Sequence, residues 1–253
     1  MKFSANTYNL KEALESIQVR GKYLNDRMLS SSSLGEAFYM FLEGNVLSLW
    51  NGDVTFIVNI TVEVEGETNG SYIGSAKTII PYLKNFGETV TVEVGDFLTI
   101  TSGNRKASVP MIVNHRGMDA ISRVKDMTKH MTYGELTLPK FSNKEFEGAF
   151  SLTEVDFTRC LNLSELVKSG VYELNFKDNS VVISTQLNAE NKYEETITPS
   201  AFLGEGATVD FSGPLHKFFK KGQLINFYVK DEFPLVLVAD DRKLIKAPYV
   251  AGN

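Results

Sequence analysis

Residues 212–250 read SGPLHKFFKKGQLINFYVKDEFPLVLVADDRKLIKAPYV. Ser212 and Pro214 mark a helix start, where proline sacrifices no internal hydrogen bond, and Leu215, Phe218 and Phe219 then fall on one face before Gly222 ends the turn. Three runs rich in β-branched and aromatic residues follow, Leu224 to Val229, Leu235 to Val238 and Leu244 to Val250, split by Lys230-Asp231-Glu232 and Asp240-Asp241. The pattern predicts a short helix and a strand meander. Residues 75–113 repeat it with small gaps: Gly87 falls on Gly222, Asp96-Phe97 on Asp231 to Phe233, Arg105-Lys106 on Arg242-Lys243, and Val109-Pro110 on Ala247-Pro248. One supersecondary unit is used at least twice, about 135 residues apart, and such repetition outranks any single motif as a guide to the fold.

Outward from there, the same plan recurs. Residues 2–5 read as a strand, and Leu10, Ala13, Leu14 and Ile17 lie at helical spacing within Thr7 to Gln18. Strands are predicted at Ala37 to Leu42, Val46 to Trp50 and Val54 to Val64, with Glu43-Gly44-Asn45 and Asn51-Gly52-Asp53 as hairpin signals. The second unit starts near residue 71, with Ser75 as a cap and Pro81 delaying or kinking its helix. Residues 114–143 break the pattern: basic residues and histidines alternate with Met118, Ile121, Met127 and Met131, which reads as a connector with a helical turn or two near Asp119 to Lys129. The scheme restarts with strand Glu147 to Leu152, helix Thr153 to Lys168, and strands Val171 to Phe176, Val181 to Gln186 and Tyr193 to Thr198, with Asp178-Asn179 as a hairpin turn. Residues 207–250 supply the fourth unit. The expected division is therefore 1–113, a connector over 114–143, and 144–253.

Composition narrows the function classes. A chain of 253 residues that is 43% hydrophobic can bury two cores of ordinary domain size. No apolar run approaches the ~20 residues of a membrane span, and the opening Met-Lys-Phe-Ser-Ala-Asn has no secretory apolar region, so a cytoplasmic protein is expected. One cysteine, Cys160, excludes an internal disulfide, and three scattered histidines form no metal-ligand cluster. No cofactor or metal is expected. Cys160 falls at an inward helix position beside Phe157 and Leu161, a packing thiol in type, and no nucleophile elbow, phosphate loop or paired acid/base carboxylates stand out. Catalytic residues are therefore not expected, and neither is an enzyme.

Four strand-helix-three-strand units in an α+β chain bring a family into view. Asp156-Phe157-Thr158-Arg159-Cys160, Glu232-Phe233-Pro234-Leu235-Val236, Ala247-Pro248, and Leu136-Thr137-Leu138-Pro139 at the end of the connector resemble, in order and position, elements of the DNA sliding clamps, most closely the two-domain type exemplified by proliferating cell nuclear antigen. Gly44-Asn45-Val46-Leu47-Ser48-Leu49 with Gly52-Asp53-Val54 is as similar to a bacterial clamp domain. The resemblance spans nearly the whole chain and suits a cellular or a viral version. It implies two similar domains per subunit, a homotrimer closed into a ring, helices lining the hole and sheets forming the wall.

A ring that holds duplex DNA by topology reads no bases, so it needs only a diffuse positive lining, with weak and steeply salt-dependent affinity. The charge partition fits. Lys11, Arg20 and Lys22 oppose Glu12 and Glu15 in residues 7–22; Lys77 and Lys84 stand unopposed in 75–86; Lys217, Lys220 and Lys221 do so in 212–221. Residues 153–168 come out negative despite Arg159 and Lys168. The four segments sum to +5 in a chain of net charge −5. The resemblance also implies a groove for short peptides of DNA polymerase, clamp loader and other replication proteins, lined by Leu42, Val46, Leu136, Leu138, Pro139, Pro234, Ala247 and Pro248, and ring closure by pairing of residues 105–113 with 179–187 of the next subunit. It places the protein at the replication fork: in the cytoplasm or nucleoid, in the nucleus of a eukaryote, or in a host cell. Two alternatives stay open: a monomeric clamp-fold processivity factor that holds DNA by surface charge, and a β-rich module that binds no DNA.

Overall fold

A computed structural model describes residues 1–18, 37–52, 55–112 and 118–249. The chain divides into two compact units, the first built largely from residues up to Ser122 and the second from Arg123 onward. In the first, β1 (Lys2–Asn6) leads into α1 (Thr7–Ser16), followed by β2 (Ala37–Glu43), β3 (Val46–Gly52) and β4 (Phe56–Glu63). Short β5 (Glu65–Thr68) precedes β6 (Gly70–Ser75), α2 (Ala76–Leu83), β7 (Thr89–Val94), β8 (Phe97–Ser102) and β9 (Arg105–Pro110). Next come α3 (Met118–Thr128) and the small hairpin β10 (Lys140–Phe141) and β11 (Lys144–Glu145). The second unit then runs β12 (Gly148–Thr153), α4 (Glu154–Ser164), β13 (Val171–Lys177), β14 (Ser180–Gln186), β15 (Lys192–Ile197), β16 (Ala201–Gly204), β17 (Gly206–Ser212), a 3-10 turn (Leu215–Phe218), β18 (Leu224–Val229), β19 (Leu235–Val238) and β20 (Arg242–Lys246).

The repeats interlock. In the first unit the strands run β5-β1-β7-β8-β9 and β4-β3-β2-β6, and in the second β16-β12-β18-β19-β20 and β15-β14-β13-β17. The opening strand of each repeat thus pairs with the meander of the other, so neither repeat completes a sheet alone. The correspondence reaches single bonds. β1 ends with Asn6 opposite Thr89 and β12 with Thr153 opposite Leu224. The first helical N–H then reaches the same place in both units, Thr7 donating to Glu88 O and Glu154 to Gln223 O, each at 2.8 Å.

Sequence period decides which faces are buried. In β7 and β8 alternate residues Val90, Val92, Leu98 and Ile100 are buried; in β13 and β14 these are Tyr172, Leu174, Phe176, Val181 and Ile183. Every residue of β19, LVLV, is buried, as a strand covered on both faces requires. Against these sheets α1 lays Leu10, Ala13 and Leu14, α2 lays Ala76, Ile79, Ile80 and Leu83, and α4 lays Phe157, Cys160 and Leu161. Asn6 and Thr153 cap α1 and α4. Asp178 and Asn179, at φ 51° and 63°, make the turn expected between β13 and β14.

Three expectations need correction. The helix read from Ser212 to Gly222 is only the four-residue 3-10 turn, because Pro214 sits at φ −82°, ψ 64° and Gly222 at φ +82°, leaving no room for an α-helical ladder. The strand read as Val54 to Val64 ends as β4 at Glu63, and a separate β5 begins at Glu65. Residues 179–187 are not a sheet edge: β14 is flanked by β13 and β15, so the outermost strand is β15. Between the units the sequence offered a turn or two, and α3 is an eleven-residue helix with Ile121 and Thr128 buried.

Candidate functional site

The sequence-predicted cations fall into three settings. Lys11, Lys77 and Lys84 stand on or just after α1 and α2 of the first unit. Lys77 and Lys84 are exposed, and Lys11 holds its ammonium 5.7 Å over the ring of Tyr8, which is itself 68% exposed. Arg20 and Lys22 lie outside the described residues, as do His115 and Arg116 of the connector. In the second unit the cations face carboxylates. Arg159 binds Asp156 at 2.9 Å and Glu195 at 2.6 Å, Lys217 lies 3.7 Å from Glu165, and Lys220 lies 2.6 Å from Asp241, while Lys221 is exposed.

That cluster on α4 carries the chemistry nearest to Cys160. Glu195 accepts hydrogen bonds from Tyr193 Oη and from Arg159 Nε and Nη2. Burial pushes its carboxyl up, and the bonds from Tyr193 and Arg159 outweigh that and hold it below the usual range. Cys160 is fully buried, and its thiol is pushed up to about 12, first by desolvation and then by the Glu195 charge. It stays protonated at neutral pH and is no nucleophile. The negative balance of α4 anticipated the carboxylates around Arg159; only the partner on β15 was hidden, since strand-to-helix contacts have no local signature.

The predicted groove residues divide between the units. In the first, Leu42 on β2 is 1% exposed and belongs to the core, whereas Val46 at the start of β3 is 46% exposed. In the second, Leu136, Leu138, Pro139, Pro234, Ala247 and Pro248 are all half-buried. Pro139 O accepts from Phe146 N–H, and Phe146 packs edge-on against Phe233, the neighbour of Pro234, at 5.6 Å. Leu235 pairs with Lys246, which brings Pro234 and Ala247 to one end of the β19–β20 ladder. Phe141 joins this cluster 5.7 Å from Phe233, and Lys144 lies over the Phe233 ring. Sequence reasoning missed Phe141, Phe146 and Lys144; their signal was the aromatic spacing around Pro139, which a family motif ending at the proline passes over.

Lys243 adds one buried cation. It is 8% exposed, burial lowers its pKa to about 8, and its Nζ donates to Thr128 O at the end of α3. Among the described residues no helix is long and apolar enough to cross a membrane.

No family model and no curated protein sequence matches the chain. Solved structures do. The beta subunit of DNA polymerase III from Thermotoga maritima superposes with a TM-score of 0.75 at 14% identity over 100% of this chain, which spans 66% of that subunit. The PCNA of A. fulgidus, solved with the C-terminal region of FEN-1 bound, gives 0.69 at 14% identity, covering 100% of this chain and 99% of that one. The Helicobacter pylori beta clamp bound to a DNA ligase peptide gives 0.67 at 11% identity over 100% of this chain and 68% of its own.

Proposed function

We propose, from the premise that this chain has the sliding-clamp fold, that it is a clamp that encircles duplex DNA without reading sequence and tethers a replicative polymerase and other replication proteins to it. The observation that carries this reading is the fold: the chain superposes on the A. fulgidus PCNA with a TM-score of 0.69 over 99% of that protein, and its described residues form two compact units. A two-domain clamp subunit closes a ring of six domains in three copies, head to tail. Two sheet ends suit that closure. β9 carries Arg105 and Lys106 and β15 carries Glu194 and Glu195, and each is the last strand of its sheet among the described residues. β15 thus replaces residues 179–187 as the proposed pairing strand.

DNA contact is assigned to Lys11, Lys77 and Lys84 on or just after α1 and α2, with Arg20 and Lys22, and to Arg159, Lys217, Lys220 and Lys221 of the second unit; the carboxylates beside Arg159, Lys217 and Lys220 lower the net charge those three present. Neutralising few phosphates gives loose binding that salt weakens, as suits a ring that must slide. Partner peptides are assigned to the half-buried surface of Leu136, Leu138, Pro139, Pro234, Ala247 and Pro248, where a few apolar anchors can supply most of the affinity. Two of the solved relatives hold such peptides, from FEN-1 and from DNA ligase.

The test is topological. Loaded on nicked circular duplex, the protein is expected to stay with the DNA through gel filtration at high salt and to be lost once the circle is cut. Equal retention on circular and linear DNA overturns encirclement and favours the monomeric alternative that holds DNA by surface charge.

A further inference from the structure

Sheet ends are hazards that proteins blunt with charge, so an exposed end without charge calls for an occupant. β5 carries Glu65 and Glu67, β9 carries Arg105 and Lys106, and β15 carries Lys192, Glu194 and Glu195. β16 is different. It is the last strand of the second unit's larger sheet among the described residues, all four of its residues are exposed, and Thr198 to Gly204 contains no charged side chain. Phe202 is 47% and Leu203 41% exposed. Glu205 N–H donates inward to Glu147 O at 3.2 Å in the register that pairs Leu203 with Ala149, so strand alternation points the main-chain groups of Ala201 and Leu203 at β12 and turns those of Phe202 and Gly204 outward.

A second feature says what sits there. At the Gly204 end of β16 opens a cavity of about 820 Å3 whose charged lining is Glu145, Glu147, Glu205, Lys144 and Lys230. Lys230 is committed to an ion pair with Glu147, and Lys144 lies 5.7 Å over the Phe233 ring. Lys144 keeps its charge over the ring, so Glu145 and Glu205 leave the cavity with an acidic excess of one charge. An added strand running antiparallel to β16 places its N-terminal residue beside Gly204, at the mouth of this cavity.

We propose that β16 is a second docking surface, which takes an extended partner segment by strand addition, with apolar residues against Phe202 and Leu203 and a lysine or arginine at its N-terminal end seated among Glu145 and Glu205. The main-chain ladder supplies affinity, and the acidic cavity supplies register and direction. This surface is built from the second unit alone, shares Leu138 of its cavity with the peptide surface proposed above, and stands whether or not the ring closes.

The probe is an acetylated, amidated hexapeptide, Lys-Val-Thr-Val-Thr-Val, labelled at its C-terminal end and followed by fluorescence anisotropy against the full chain, beside the same peptide with glutamate first. The lysine peptide is expected to bind about tenfold more tightly than the glutamate one, a gap that Glu145→Gln with Glu205→Gln closes. Phe202→Pro, which deletes an outward N–H at a sheet edge where proline is tolerated, is expected to weaken binding about tenfold or more. Phe202→Ser, a change to an exposed side chain, gives the same direction should the proline variant fail to fold. Unchanged binding by these variants, or equal affinity for both peptides, overturns the proposal. So does a mass that doubles with concentration in the wild type but not in Phe202→Pro, which makes a second copy of the chain the occupant.

Discussion

His216 sits 3% exposed at the turn after β17, edge-on to Phe157 at 6.4 Å, and its Nδ1 has no hydrogen-bond partner. Burial, opposed by the Glu165 charge and helped by Lys217, lowers its pKa from 6.5 to about 4. Below the ordinary histidine pKa the unfolded chain takes up a proton that the folded chain refuses until about pH 4. Stability from the neutral ring is thus fully present above about pH 6.5 and lost as pH falls through this window, at up to about 1.4 kcal/mol per pH unit. His216→Leu is expected to flatten that part of the curve in urea unfolding; parallel wild-type and variant curves would show that the ring does not titrate with folding. Nothing in the sequence marked His216 as buried, because its neighbours Leu215, Lys217 and Phe218 fit a solvent-facing helix equally well. Arg105 and Arg242 show the opposite case. The repeat aligned them from sequence, and both donate through Nη1 to a carbonyl just after or at the end of the preceding helix, Asn85 O and Phe218 O. Only Arg242 is buried, held 5.5 Å over the Phe218 ring beside Asp241, a difference that tertiary packing sets and the alignment does not carry.

At the scale of elements, the meanders and α4 were readable because period-2 alternation, Gly and Asn turns and helical spacing are all local. The 3-10 turn was not, since three apolar residues on one face describe a turn as well as a helix. Nor was the place of β15 at the sheet end: strand order is a long-range property, and residues 180–186 and 192–197 look alike when read singly. The aromatic surface around Pro139 fell between these cases, its proline recognised and its supporting rings overlooked. α3 depends on a distant residue in the same way. Thr128 O accepts from Met131 N–H and from the buried Lys243 ammonium, which meets the negative end of the helix. Lys243→Met keeps the stem and removes the charge. Amide exchange over residues 124–131 is expected to quicken about fivefold, the loss of roughly 1 kcal/mol of local stability, while β18 and β19 keep their protection. Unaltered exchange in the last turn of α3 would mean that helix packing alone holds it.

For the whole molecule, the question is whether the open edge of β9 meets another chain. Gly103 and Asn104 form the two-residue turn between β8 and β9, and Ser102 pairs with Arg105. In such a hairpin the closing pair is hydrogen-bonded, so Arg105, Ala107 and Val109 bond inward to β8 while the main-chain groups of Lys106 and Ser108 point outward. Ala107 and Val109 also turn their side chains into the core, and Ser108 is exposed. Replacing Ser108 by proline therefore takes a donor from the outer edge without touching the inner ladder, and Pro110 shows that this edge already accepts the ring. If β9 pairs with β15 of a neighbour, wild-type protein at micromolar concentration gives a light-scattering mass of about 85 kDa, three times the 28.2 kDa of one chain. Ser108→Pro then lowers it toward 28.2 kDa with an unchanged circular dichroism spectrum. A heterologous contact broken in every copy leaves no closed species, so the loss should run to monomer without a stable dimer. A wild-type mass of one chain, or a trimer indifferent to proline at this position, removes β9 from ring closure and shifts support to a clamp-fold protein that works as a single copy.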